Sequence, residues 1–343
     1  MPTPNPICVI AGDIHYSRTT LDLADYGTRM AILKANELNV PFVSNGDLHN
    51  DKANLRAECV NALIETFKLC KIKPYLNVGN HSRLNEKSPE HALNFLAPYG
   101  HIIEKPVFIN DLNSYIIPYD HDVANLTKYL KTIPDNSRLI MHQGVESGNL
   151  GDYIQDKSAL PKSCLANFRT ILSHYHARQD IICGRLKDNN VGLASYIGNL
   201  YSLTYGEASD PAKGYQILYD DGSLKFVPTN LRTHRKAKLG VDKRGLFDRD
   251  PLYHTPGPDD LVWVTVEGPS EYLAHVTKET VAKYLDLRQS FKLDLVPLDT
   301  NSETTSKVDL TDEELVDSVI DGLSNTSDEC KIRLKNLWRN LGG

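Results

Sequence analysis

With 343 residues, 41% of them hydrophobic and 24% charged, the chain is long enough to bury a sizeable core and to carry an accessory domain beside a main one. A formal net charge of -6 argues against a protein that coats nucleic acid nonspecifically, and no apolar run approaches the roughly 18–20 residues of a membrane span. Six scattered cysteines with no C-x-x-C pair exclude a disulfide framework and a zinc ribbon. Met1–Pro6 has neither a charged n-region nor an apolar h-region, so the expected location is the cytoplasm.

In chain order, Ile7–Ala11 reads as a buried strand, and Met30, Leu33 and Leu38 suggest a helix behind it. Val40–Ser44 is the next strand. Leu55, Val60, Leu63, Ile64 and Phe67 then recur at helical spacing, with Asp51 as a candidate cap. Pro74–Val78, Arg138–Met141 and the more mixed Thr170–Leu172 are further strands. Tyr215–Leu218 and Lys225–Pro228 flank Asp220-Asp-Gly222, a hairpin signal. Alternating strands and helices point to an α/β fold with helices packed on sheet faces. Beyond about residue 230, a strand at Leu261–Val266, a mainly helical stretch at Ser270–Leu287 and a strand at Phe291–Leu295 make a small α+β unit. A polar linker follows over 299–308. Two short helices over 309–343 then open on the capping boxes Thr311-x-x-Glu314 and Thr326-x-x-Glu329.

Each of those five strands delivers a polar motif: GDIH at Gly12–His15, GDLH at Gly46–His49, GNH at Gly79–His81, His142, and HYH at His174–His176. Together they supply Asp13, His15, Asp47, Asn80, His142, His174 and His176, an oxygen and imidazole set able to hold two divalent transition metals side by side. Any one motif is weak, because a buried or surface histidine is the commoner meaning of each. The ordered set is specific, since loops at strand carboxyl ends converge on one edge of an α/β sheet. Two neighbouring cations repel, so a carboxylate is needed between them. Asp47 is placed there because its motif lies between the others. His81, next to a ligand, is positioned to protonate a leaving oxygen. His91, His101, His121, His234, His254 and His275 lack any such context.

The pattern D-x-H, G-D, G-N-H, H, H-x-H resembles the calcineurin-like metallophosphoesterase superfamily over about residues 7–230. The stretch Tyr196-Ile-Gly-Asn-Leu-Tyr-Ser-Leu-Thr-Tyr-Gly-Glu207, followed by Lys213-Gly-Tyr-Gln-Ile-Leu218, is similar to the SbcD/Mre-type DNA repair and recombination nuclease subunits. The resemblance implies a β-sandwich core flanked by helices, a small α+β cap and C-terminal helices. It implies two divalent ions, both manganese, with magnesium the alternative: Asp13, His15, Asp47 and His176 hold one, and Asp47, Asn80, His142 and His174 hold the other. His81 matches the catalytic histidine. His49 either does the work of a second catalytic histidine found one place later in that family, or is a loop residue. The family has an acid where this chain has Ser82, and a glycine where it has Ser173.

The organisation that follows is a nuclease domain over 1–230, a basic linker over 231–256, a DNA-capping domain over 257–298, the linker over 299–308 and partner-binding helices over 309–343. Arg232, Arg235, Lys236 and Lys238 are the candidate DNA contacts, the alternative being a solvated linker. The last helices would dock on an SbcC-type ABC ATPase or fold back on the chain, and the family usually forms homodimers. The leading functional expectation is a DNA nuclease, acting on duplex ends or in single strands. A small-molecule phosphomonoesterase or cyclic-nucleotide phosphodiesterase, and a noncatalytic scaffold, are the alternatives.

Overall fold

The protein is described from a computed structural model covering residues 3–52, 55–85, 87–149, 159–185, 191–245, 247–249, 257, 259–298 and 331. The linker expected over 299–308 lies outside the described residues, as do the helices expected over 309–343, Lys331 excepted.

In chain order the elements are β1 (Pro6–Ala11), α1 (Leu21–Leu38), β2 (Phe42–Asn45), α2 (Ala57–Phe67), β3 (Tyr75–Asn77), β4 (His101–Ile103), β5 (Val107–Ile109), β6 (Ser114–Ile117), α3 (Val123–Leu130), β7 (Arg138–His142) and β8 (Arg169–Ser173). They continue with β9 (Gln179–Arg185), β10 (Val191–Tyr196), β11 (Gly214–Tyr219), β12 (Leu224–Pro228), β13 (His234–Val241), β14 (Phe247–Arg249), β15 (Leu261–Gly268), α4 (Ser270–Leu273), α5 (Lys278–Leu285) and β16 (Phe291–Pro297). They form three mixed sheets, ordered β12-β11-β1-β2-β3-β4, β5-β6-β7-β8-β10-β9 and β14-β13-β15-β16. Among the described residues no helix is long and apolar enough to cross a membrane.

The two six-stranded sheets face each other because their central strands are apolar on both sides. In β1, Val9 and Ala11 join the cluster under α1 and α2, while Cys8 and Ile10 join a second cluster. That second cluster also takes Ile116 of β6, Ile140 of β7 and Ile171 of β8, so it is the layer between the sheets. Leu139 and Met141 of β7 point the other way, onto Leu126 and Leu130 of α3. Each fully buried leucine or isoleucine contributes about 1.5–3 kcal/mol. Small residues of α1 (Ala24, Gly27, Ala31 and Ala35) are buried and let that helix lie close to its sheet. The helix ends on Asn39 in the left-handed region, whose N–H donates to the Ala35 and Asn36 carbonyls. The N-cap of α2 is Arg56, without a side-chain cap, so Asp51 does not fill that role.

β1, β2 and β3 run parallel, as do β6, β7 and β8, and their carboxyl ends carry the motif loops. Just beneath those loops two buried asparagines join the sheets. Asn45 Nδ2 donates to the Met141 carbonyl at 2.9 Å and to Ser173 Oγ at 3.0 Å. Asn77 Nδ2 donates to Asn45 Oδ1 at 2.9 Å and to the Ile117 carbonyl at 3.0 Å.

The third sheet buries Ala237, Leu239, Val241, Val262, Val264 and Val266 against Leu273, Val281 and Leu285 of α4 and α5. It takes in the helical stretch and both strands expected over 261–295. It also takes in β13, which pairs in parallel with β15 from His234 to Gly240. The basic stretch expected as a linker over 231–256 therefore contains a strand of the small sheet. Its alternate positions, Lys236 and Lys238, point to the open face, which is why apolar patterning does not reveal it.

Candidate metal centre

Four of the expected ligand residues adopt positive φ: Asp13 at 50°, His15 at 53°, Asp47 at 48° and His174 at 111°. Such backbones cost about 1–3 kcal/mol each and persist only where the surroundings fix them. Here they do. The Asp13 amide donates to the Gly46 carbonyl at 3.3 Å, the His15 amide to Asp47 at 2.9 Å, and the His174 amide to the Asp13 carboxylate at 3.0 Å. The His81 amide donates to Asp47 Oδ1 at 2.8 Å. The approach is so close that a Cβ on Gly46 would overlap the His142 ring, and one on Gly79 would overlap Asp47 Oδ1.

Three groups of donor atoms result, each gathered within 4.8 Å: Asp13, His15 and His176; His15, Asp47 and His81; and Asp47, His142 and His174. Asn80 joins the last, its Oδ1 lying 3.0 Å from both His142 Nε2 and His174 Nδ1. All seven expected ligand residues are thus brought together, with His81 among them. These groups can hold metal ions.

The hydrogen-bond roles make that case physically. His142 Nδ1 faces the Asn45 carbonyl at 2.8 Å and must donate to it. A neutral His142 then turns a lone pair from Nε2 toward Asp47 Oδ2, 3.2 Å away, and Asn80 Oδ1. Likewise His176 Nδ1 faces Glu207 Oε1 at 2.9 Å and donates, so its Nε2 turns a lone pair toward His15 Nε2, 3.2 Å away. Converging acceptors need a cation between them. Without an ion, protons must serve. Burial works against a charged His142, but the Asp47 carboxylate, by its charge and hydrogen bond, outweighs it and raises the imidazole to about 9. Burial, then the neighbouring His176, holds His15 well below its usual range. Burial favours a protonated Asp47, yet His142 keeps that carboxylate well below the ordinary value.

No protein-family model matches the chain, and a search of curated proteins finds no match.

A cavity of about 590 Å³ opens over the donor atoms, lined by His15, His81, His174, His176, Glu207 and Lys236, among others. His81 Nδ1 lies 2.7 Å from the Asn50 carbonyl and donates to it, so a backbone group orients this ring. Ser82 is fully buried with no hydrogen-bond partner on its hydroxyl. His49 belongs to none of the donor groups and does not line the cavity. It is 1% exposed, both ring nitrogens lack a hydrogen-bond partner, and burial lowers its pKa.

Of the basic candidates, Lys236 lines the cavity and its ammonium lies 5.7 Å from the Trp263 ring centroid. Arg235 Nε pairs with Asp260 at 3.2 Å and Lys238 with Glu267 at 2.8 Å. Arg232 Nε is buried without a hydrogen-bond partner.

Two supporting residues escape sequence reasoning. Asn45 fixes the His142 tautomer; its only mark is a polar residue closing an apolar strand. Glu207 fixes that of His176 from 31 positions away. Burial alone would raise the Glu207 carboxyl, but the bond from His176 and the charge of Lys213 hold it at about 2. At His176 burial works against the charged ring, but the same bond together with the charges of Asp13 and Glu207 raises that imidazole.

Proposed function

We propose that the chain is a metallophosphoesterase of the SbcD/Mre type, hydrolysing phosphodiesters of DNA with two divalent ions, manganese the expected pair. The observation that carries this reading is the convergence of imidazole nitrogens with carboxylate and amide oxygens at the edge where two sheets meet. Asp13, His15 and His176 would hold one ion and Asn80, His142 and His174 the other, with Asp47 shared. When bound, such ions supply Lewis acidity toward phosphoryl oxygens and make a bound water acidic.

The chain's own residues do the rest. The Asn45 carbonyl and the Glu207 carboxylate fix two imidazole tautomers before substrate arrives. His81 is held through Nδ1, which leaves Nε2 outside that bond; as an imidazolium the ring would hand the Nε2 proton to the leaving oxygen or meet charge on phosphorus. Lys236, at the cavity wall, supplies a positive charge suited to a flanking phosphate. An ATPase partner and a homodimer belong to the same reading.

The test is cleavage of end-labelled duplex and single-stranded DNA with manganese, magnesium or EDTA, beside a small phosphodiester and the His81→Ala variant. Manganese-dependent DNA degradation lost in the variant is the expected result. Hydrolysis of the small ester alone would move the chain to the nucleotide-phosphodiesterase class.

A further inference from the structure

Within the metal centre the two ligand sets are braced differently. His142 is fully buried, sits on a strand, and is oriented by the backbone carbonyl of Asn45. His176 lies beyond the end of its strand, its side chain is 29% exposed, and it is oriented by a side chain from another segment. That side chain is Glu207. Its Oε1 accepts from His176 Nδ1 at 2.9 Å. Its Oε2 accepts from Lys213 Nζ at 3.0 Å, the Leu203 amide at 3.1 Å and Asn199 Nδ2 at 3.2 Å. Lys213 is itself buried, and it donates further to Asp210 at 2.7 Å and to the His176 carbonyl at 3.1 Å.

We propose that Glu207 is a positioning residue for one ion alone: it turns His176 so that the Asp13, His15 and His176 group is ready for its metal, while the Asp47, Asn80, His142 and His174 group is held without it. The proposal rests on the two-metal reading above. Both Glu207 oxygens are anchored, so the carboxylate is a rigid acceptor and the imidazole has one tautomer to adopt. Turned the other way, Nε2–H would point at His15 and bar an ion from the space between the two rings. The carboxylate also strengthens imidazole basicity toward a cation, which a neutral carbonyl does less. The Asn45 carbonyl, by contrast, is part of β2 and cannot be lost without loss of the sheet.

The experiment titrates metal-free full-length protein with Mn(II), reading bound metal by equilibrium dialysis and the spin coupling of the bound ions by EPR. Wild type is expected to bind two ions per chain and to give a coupled-pair spectrum. Glu207→Gln should keep one ion at wild-type affinity, weaken the other about 10–100-fold, and give the six-line spectrum of an isolated ion. Two ions at unchanged affinity in that variant overturn the proposal. Lys213→Met, which removes the buried ion pair and the bond to the His176 carbonyl but leaves the bond between Glu207 and the His176 imidazole, should retain both ions. An equal loss there would mean that the 199–213 segment acts by its folding, and would also overturn it. Should Glu207→Gln melt well below wild type in the metal-free state, Glu207→Asp keeps the charge while shortening the reach, and is expected to show the same selective loss. Failure of the wild type itself to bind manganese would instead sink the two-metal reading.

Discussion

Asp47 Oδ1 accepts from the His81 amide at 2.8 Å, while Oδ2 lies 3.2 Å from His142 Nε2 and 4.0 Å from His15 Nε2. One carboxylate therefore faces both ligand groups and also holds the loop that carries His81. Asp47→Ala should abolish two-ion occupancy and with it activity; elemental analysis finding two ions per chain in the variant would refute the shared-ligand assignment. His81→Ala removes a ring whose orientation depends on the Asn50 carbonyl and on which no other described side chain leans by hydrogen bond. It should keep both ions and lower kcat by about 10²–10⁴-fold. Loss of metal together with turnover would make His81 a ligand rather than a proton donor, an outcome its place in one donor group makes worth measuring. These residues were legible in the sequence because their chemistry is unusual and each follows an apolar run. Glu207 and Asn45 were not, because a tautomer is set by a contact in space and leaves no mark at a fixed spacing.

Among elements, β1, β2, β3, β7 and β8 were legible because a strand buried on both faces must be apolar at successive positions. β13 was not. One face of it meets helices and the other meets solvent, and the solvent-facing positions happen to be lysines, so the strand resembled a basic linker. What seats it is Asp260 at the start of β15. Oδ1 accepts from the Thr233 amide at 2.8 Å and hydroxyl at 2.9 Å, and Oδ2 from the Gly257 amide at 3.0 Å and Arg235 Nε at 3.2 Å. Burial would raise this carboxyl, but those donors, the Thr233 and Gly257 amides foremost, hold it below the ordinary 3.8. A depressed carboxyl contributes stability that is fully present above its unfolded pKa and is lost as pH falls through the lower folded value. Asp260→Ala should therefore cost the small sheet about 2–3 kcal/mol at neutral pH. Urea melts followed by Trp263 fluorescence on β15 check it, and the gap between variant and wild type should narrow as the buffer is taken below pH 4. A gap independent of pH would mean that the side chain acts through packing alone.

Across the whole molecule, net charge is -6, yet the open face of the small sheet carries Lys236, Lys238 and Lys292 around Trp263. Lys238 is paired with Glu267, and Lys292 lies 3.3 Å from Asp294 and over the indole, 3.6 Å from its centroid. Lys236 has the indole as a neighbour and also lines the cavity over the donor atoms. The two parts touch at the turn before Glu207, where Tyr205 packs edge-on against His234 and Trp263 at 4.7 and 5.4 Å between centroids. A polyanion reaching the metal centre along this face would meet Lys236 last, and would release a counterion there. Lys236→Ala should then weaken DNA binding alike for all sequences and flatten the slope of log K against log salt by about 0.7–1. Hydrolysis of a small phosphodiester should be unchanged, because nothing in the metal ligands depends on that lysine. Lys238→Ala, whose charge is already spent on Glu267, should change the slope less. If both variants leave the slope untouched, DNA does not approach over the small sheet, and the lysines are a solvated surface.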